Sequence, residues 1–185
     1  MNNLIVKDNA LIEASHKLNE VEQRLILLAI LKAREVGDTA EQLMNKELEI
    51  HASDYMQAFN VDRTTAYRTL KASVIGLYGA EWGYRYVNNK GNLVVRYERF
   101  TQSAEYVENE ATVKFMFSYA IIPYLVELEK RFTTYELEQV ANLKSKYSMR
   151  LYEMLMQFRS TKNLKISLSD LRFRFGLLET EYETM

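Results

Sequence analysis

With 185 residues, 48% of them hydrophobic, and no cysteine, the chain can bury one core of its own, and it has neither a disulfide framework nor a thiolate metal site. A formal net charge of -1 denies it the global basicity of a polyanion binder, so any nucleic-acid surface must come from a local cluster of Lys and Arg. The most apolar run, Leu25 to Leu31, is far shorter than the roughly 20 residues of a membrane span, and no basic segment followed by a long apolar one opens the chain, so a cytoplasmic protein without a membrane partner is expected.

Leu4, Leu11, Leu18 and Leu25 recur at heptad spacing, as in a leucine zipper. Asn19 followed by Glu22 contradicts that reading, because it is a capping box, and a helix starting there breaks the heptad phase. The spacing predicts a helix from Asn19 to about Val36, apolar nearly all round and therefore central, stopping near Gly37. Leu48, Glu49 and Ile50 alternate as in a short strand, and Ser53 or Asp54 opens a short helix that ends near Phe59 and Asn60. Asp62 caps the next helix. There Ala66, Leu70, Val74 and Leu77 define a buried face, while Thr64, Arg68 and Lys71 fall on the opposite side.

From Glu81 the period changes to two. Trp82, Tyr84 and Tyr86 alternate, Asn88 to Gly91 supplies turn residues, and Leu93, Val95 and Tyr97 alternate again, which predicts a β-hairpin. A third strand is expected at Val113, Phe115 and Phe117. Helix, helix and hairpin in this order make a winged helix from about Leu48 to Phe117, with Asn88 to Asn92 as the wing tip. The expected fold class is α+β, a winged helix with additional N- and C-terminal helices. Pro123 suits the first turn of a helix running to about Arg131, Thr133 with Glu136 offers a capping box for a second, and Ser145 starts a third.

Leu48 to Val61 and Leu164 to Leu177 match in Leu, Ile, Ser, Asp and Phe at equal offsets, an internal repeat of the strand-then-helix entry. The expected division is a first winged-helix domain over 1–160 and the truncated start of a second over 161–185.

Arg63, Thr64, Thr65, Arg68 and Lys71 are the candidate DNA contacts, since Arg and Lys neutralise phosphates and Thr hydroxyls donate to them. Lys90 at the hairpin tip and Arg96 on its second strand are further candidates for the phosphate backbone, although exposed hairpin charges also simply keep a strand soluble. Trp82, Tyr84, Tyr86 and Tyr97 have more apolar bulk than one small sheet face needs, which suits either a dimer interface or core. A second basic cluster, which includes Lys144, Lys146, Arg150, Arg159, Arg172 and Arg174, suits a solvated helix face with interdomain packing equally well.

The chain has no Walker-type phosphate loop. Its two histidines, His16 and His51, lie far apart and form no metal-ligand motif, so no enzyme, cofactor or metal is expected. Thirteen tyrosines raise the thought of a rolling-circle nicking enzyme, but the paired-histidine motif of such an enzyme is absent. A winged-helix transcription regulator is the principal alternative, and the partial repeat at Leu164 counts against it.

Three segments, LIVKDNALIEASHKLNEVEQRLILLAILKARE (4–35), HASDYMQAFNVDRTTAYRTLKAS (51–73) and FTTYELEQVANLKSKYSMRLYEMLMQFRSTKN (132–163), resemble the plasmid replication initiators of the iteron-binding, tandem winged-helix type, especially the Rep proteins of small Acinetobacter-type plasmids. The resemblance implies a first winged helix that dimerises and docks on double-stranded DNA and a second that reads iterons. It further implies dimers that repress their own promoter at an operator inverted repeat, and monomers that bind origin iterons and open the origin for host replication proteins.

Overall fold

The computed structural model of the chain describes residues 3–126, 128, 131–177 and 181. It opens with a strand that the sequence reading did not anticipate. β1 (Leu4–Asp8) pairs antiparallel with β8 (Phe132–Glu136), Leu4 opposite Glu136 and Asp8 opposite Phe132. A short helix α1 (Asn9–Glu13) and a two-residue strand β2 (Ser15–His16) lead to α2 (Glu20–Val36). Leu4, Leu11, Leu18 and Leu25 thus belong to a strand, a helix, a connection and a second helix, which rules out the zipper.

The α2 helix starts on the predicted capping box: Glu22 N–H donates to Asn19 Oδ1 at 3.0 Å, and Asn19 N–H to Glu22 Oε2 at 2.8 Å. All seven residues from Leu25 to Leu31 are buried, so this helix is the axis of the core. After the short helix α3 (Ala40–Leu43), β3 (Glu47–His51) alternates as expected, with Leu48 and Ile50 inward. The next helix, α4 (Ala52–Phe59), starts one residue before Ser53, with His51 at the cap position and Asp54 Oδ2 accepting from His51 N–H at 3.3 Å. Asp62 caps α5 (Arg63–Gly79) as predicted.

The hairpin β4 (Glu81–Val87) and β5 (Leu93–Arg99) forms with the predicted turn, but it is not part of the winged-helix sheet. It joins β2 in the order β2-β4-β5. The strand at 112–117, β7 (Thr112–Phe117), pairs instead with β3 and with β6 (Thr101–Val107), in the order β3-β7-β6. The turn between β6 and β7, a 3-10 turn at Glu108–Glu110, is therefore the wing, and Asn88 to Asn92 is the tip of an inserted hairpin. Inward-facing Leu48 and Ile50 lie opposite Phe115 and Val113, which decides the pairing: only this register closes the sheet over α2 and α5.

The helices expected from Pro123 and from Thr133 do not form among the described residues. Ile122–Tyr124 is a single 3-10 turn, residues 127, 129 and 130 lie outside the described residues, and Thr133, expected to be a cap, sits within β8. Phe132, Thr133, Thr134 and Tyr135 favour a strand, and β1 offers them an edge. Glu136 N–H is satisfied by Gln139 Oε1 at 2.9 Å, ahead of the short helix α6 (Glu138–Ala141). Ser145 caps α7 (Lys146–Gln157) as predicted.

Arg150 departs from the expected solvated cluster, being 3% exposed. Its Nη2 donates to the carbonyls of Ile12 and Ala14, each at 2.7 Å, and its Nη1 lies 3.1 Å from Glu153 Oε2. Glu153 is also bonded by Lys7 Nζ and by the Tyr135 hydroxyl, so one buried charge node ties β1, α1 and β8 to α7.

The last helix, α8 (Leu168–Arg174), starts at the offset that the repeat assigns it, Leu168 standing where Ala52 stands in α4. Asp170 occupies the third helical position, as Asp54 does, and its N–H bonds the Ser167 cap hydroxyl at 3.0 Å. Residues 164–166, the counterpart of β3, are not in a strand.

Candidate nucleic-acid interface

The α4 and α5 helices form a helix-turn-helix. Asn60 turns the chain in the left-handed region, at φ 49°, a conformation that Asn tolerates better than most residues. Asp62 then accepts from Thr65 N–H at 2.9 Å and from the Thr65 hydroxyl at 2.6 Å, which holds the Asp62 carboxyl below its ordinary pKa. Thr65 Oγ1 is thereby committed to the cap. The candidates left facing solvent are Arg63, Thr64, Arg68 and Lys71, all exposed, while Ala66, Leu70 and Leu77 are buried. Val74, expected on the buried face, is only half-buried, and Ser73 takes the interior place, its hydroxyl donating to Leu70 O at 2.8 Å.

The strip is locally braced. The Arg63 guanidinium lies 5.2 Å from the Tyr67 ring and donates to its hydroxyl at 3.2 Å, which explains the half-buried Tyr67 at the flank. Lys71 is ion-paired with Glu108 of the wing, and that hydrogen bond raises the Lys71 pKa. Arg68 makes no ion pair among the described residues. A helix presenting Thr64, Arg68 and Lys71 at successive turns can lay two cations and a hydroxyl along a phosphate backbone.

The wing itself was missed by sequence reasoning. The signal was there: Ala104 and Tyr106 alternate with Glu105 and Val107 before Glu108, Asn109 and Glu110. Ala111 closes the turn at φ 49°. Glu105, Glu108 and Glu110 are all exposed, so the wing is acidic.

Lys90 and Arg96 sit on the other hairpin. Asn88 Oδ1 accepts from Lys90 N–H at 2.9 Å and Asn92 N–H at 3.0 Å, building the tip that displays Lys90, and Arg96 Nε is paired with Glu98 Oε1 at 2.6 Å. The four aromatic candidates do not form one surface. Trp82 is 1% exposed and stacks on Tyr84 at 5.3 Å and against Tyr124 at 5.0 Å, so it is core rather than an exposed contact. Tyr86 continues the same face at 6.0 Å from Tyr84. Tyr97 is on the opposite face, across from Gly83, where a Cβ would come within 2.7 Å of its ring. On that outer face Val87, Leu93, Val95 and Tyr97 are all exposed, and β5 forms the edge of its sheet.

Among the described residues no group of three or more His, Cys, Asp or Glu is placed to hold a metal ion, and no helix is long and apolar enough to cross a membrane.

A replication initiation protein of Escherichia coli is 32% identical over 190 residues, covering 98% of this chain and 57% of the relative, so the chain spans little more than half of that protein's length. The crystal structure of the WH1 domain of MSBI1.176, a replication protein isolated from a multiple sclerosis patient, is 41% identical, with a TM-score of 0.51 over 68% of this chain and 94% of that one. The Pi initiator protein, solved in complex with iteron DNA, shares the fold at 21% identity, with a TM-score of 0.62 over 94% of this chain and 72% of that one. Residues 4–156 match the family described as Initiator Replication protein, WH1, and the chain belongs to that family.

Proposed function

We propose that this chain is the N-terminal part of a plasmid replication initiator, docking on double-stranded DNA through α5 and self-associating through the inserted hairpin. The observation that carries the DNA reading is the exposed strip Arg63, Thr64, Arg68 and Lys71 on the second helix of a helix-turn-helix. The contacts are of the backbone-positioning kind, and Lys90 at the hairpin tip adds a further cation. Residues 1–160 make the first winged-helix domain. Segment 161–185 opens a second, a division supported by the common offset of α4 and α8 and their shared Asp at the third position. In the whole protein, monomers bind origin iterons and engage host replication proteins, and dimers repress the initiator's own promoter at an inverted repeat. No catalytic step is assigned to it, and its place is the cytoplasm.

Self-association is supported by β5, an edge strand beside an outer face on which Val87, Leu93, Val95 and Tyr97 are exposed together. A second copy adding its own β5 antiparallel would pair the open edge and bring the two apolar faces side by side, with Val95 and its neighbours in contact across the seam.

The test is a gel shift on random and inverted-repeat duplexes across a salt series. Binding at low salt, weakening as salt rises, is expected, and Arg68→Gln flattens the log-log salt dependence by about 0.9. Failure to retard either duplex at about 50 mM salt overturns the DNA reading.

A further inference from the structure

The basic strip on α5 does not face solvent unopposed. Lys71, its last cation, is tied to Glu108, and Glu108 belongs to a wing that also exposes Glu105 and Glu110. The two partners lie 37 residues apart in sequence, so only the packing of the β6–β7 turn beside α5 brings them together. A wing beside a recognition helix faces whatever that helix faces. A phosphate approaching Lys71 must therefore displace a carboxylate and accept the repulsion of its neighbours.

We propose that Glu108 sets how strongly this domain holds DNA, by occupying Lys71 in the free protein and competing with a backbone phosphate for it. This inference rests on α5 being the DNA-docking helix. The ion pair is exposed, with side chains 59% and 65% accessible, so it contributes little to folding and is free to exchange partners. The competition acts on one cation only. Arg68, which has no ion-pair partner among the described residues, and Arg63, braced by Tyr67, stay available throughout. The domain then docks weakly by itself and keeps Lys71 in reserve for DNA whose phosphate lies close enough to outcompete the carboxylate.

Glu110 provides the internal control. It is exposed on the same turn and carries the same charge, and no cation is ion-paired to it among the described residues, so Glu110→Gln removes a charge without releasing Lys71. The experiment titrates a labelled random-sequence duplex by fluorescence anisotropy at several salt concentrations with wild type, Glu108→Gln, Glu110→Gln and Glu108→Gln combined with Lys71→Gln. The expected result is binding about three- to tenfold tighter for Glu108→Gln at low salt, with a salt dependence steeper by about 0.9 for the one added phosphate contact. Glu110→Gln should gain less than about twofold with an unchanged slope, and the double variant should lose the gain. An equal gain in Glu110→Gln, a gain that survives Lys71→Gln, or no gain at all overturns the proposal while wild-type binding preserves the docking reading. Absence of binding by every variant removes both.

Discussion

Arg150 and Glu153, three positions apart on α7, meet at 3.1 Å with side chains only 3% and 5% exposed. Burial works against the charge on each, but Lys7 and Arg150 together outweigh it at Glu153 and hold that carboxyl below its ordinary pKa, so it stays ionised. Removing one member of such a node strands the others. Arg150→Met leaves the carbonyls of Ile12 and Ala14 without their donor and Glu153 with less compensation, and should cost about 3–5 kcal/mol in urea unfolding. Replacing Lys7, Arg150 and Glu153 together by Met should cost less than Arg150→Met alone. A loss below about 1 kcal/mol for the single change would show the node to be wet.

His16 is 8% exposed, and burial, followed by the charges of Arg150, Lys7 and Lys146, pushes its pKa well below the usual 6.5. The unfolded chain takes up a proton below about 6.5, and the folded chain does not. The stabilisation is therefore complete above that pH and is lost as pH falls below it, by up to about 1.4 kcal/mol per unit. Between pH 7.5 and 5.5 the wild-type unfolding free energy should drop more than that of His16→Gln. Parallel curves for the two proteins would refute the assignment.

Gly176 ends α8 at φ 67°, and a Cβ on it would fall 2.6 Å from the His16 carbonyl oxygen. Both the backbone conformation and the close approach demand glycine. The same corner is held by the Arg85 guanidinium 3.8 Å over Phe173 and by Phe175 at 5.3 Å from Tyr147. Gly176→Ala should cost about 1–3 kcal/mol locally and accelerate amide exchange across 168–177 while leaving α2 protected. Uniform acceleration over the whole chain would mean that α8 is integral to the core rather than docked on it.

Val95 lies on the exposed face of edge strand β5, 44% accessible. If that edge carries self-association, Val95→Lys places a charge in the contact and should weaken the dimer at least about tenfold in sedimentation equilibrium, with little change in thermal stability. An unchanged association constant would move the interface elsewhere.

Sequence alone determined the features whose causes are local. The capping pairs at Asn19 and Glu22, Asp62 and Thr65, and Ser145 place three helices, because the groups that satisfy one another lie within a few residues. The buried face Ala66, Leu70 and Leu77 and the exposed strip Thr64, Arg68 and Lys71 follow from the helical period, and the hairpin at Asn88 to Asn92 from its turn residues. The shared offset of α4 and α8 was legible because the repeated motif puts an Asp at the third position of each helix, although Asp54 accepts from the cap residue's N–H while Asp170 donates its own N–H to the Ser167 hydroxyl. Tertiary structure decided which hairpin is the wing, because two alternating hairpins look alike until Leu48 and Ile50 choose Phe115 and Val113 as partners. It also paired β1 with β8 and turned Thr133 from an expected helix cap into a strand residue, since edge pairing depends on a partner far away in the chain. Arg150 became a core residue because Glu153 and Lys7, the latter 146 positions from Glu153, were there to neutralise it. Lys71 acquired Glu108 in the same way: a charge's partner is set by proximity in space, and the composition of its own helix does not disclose it.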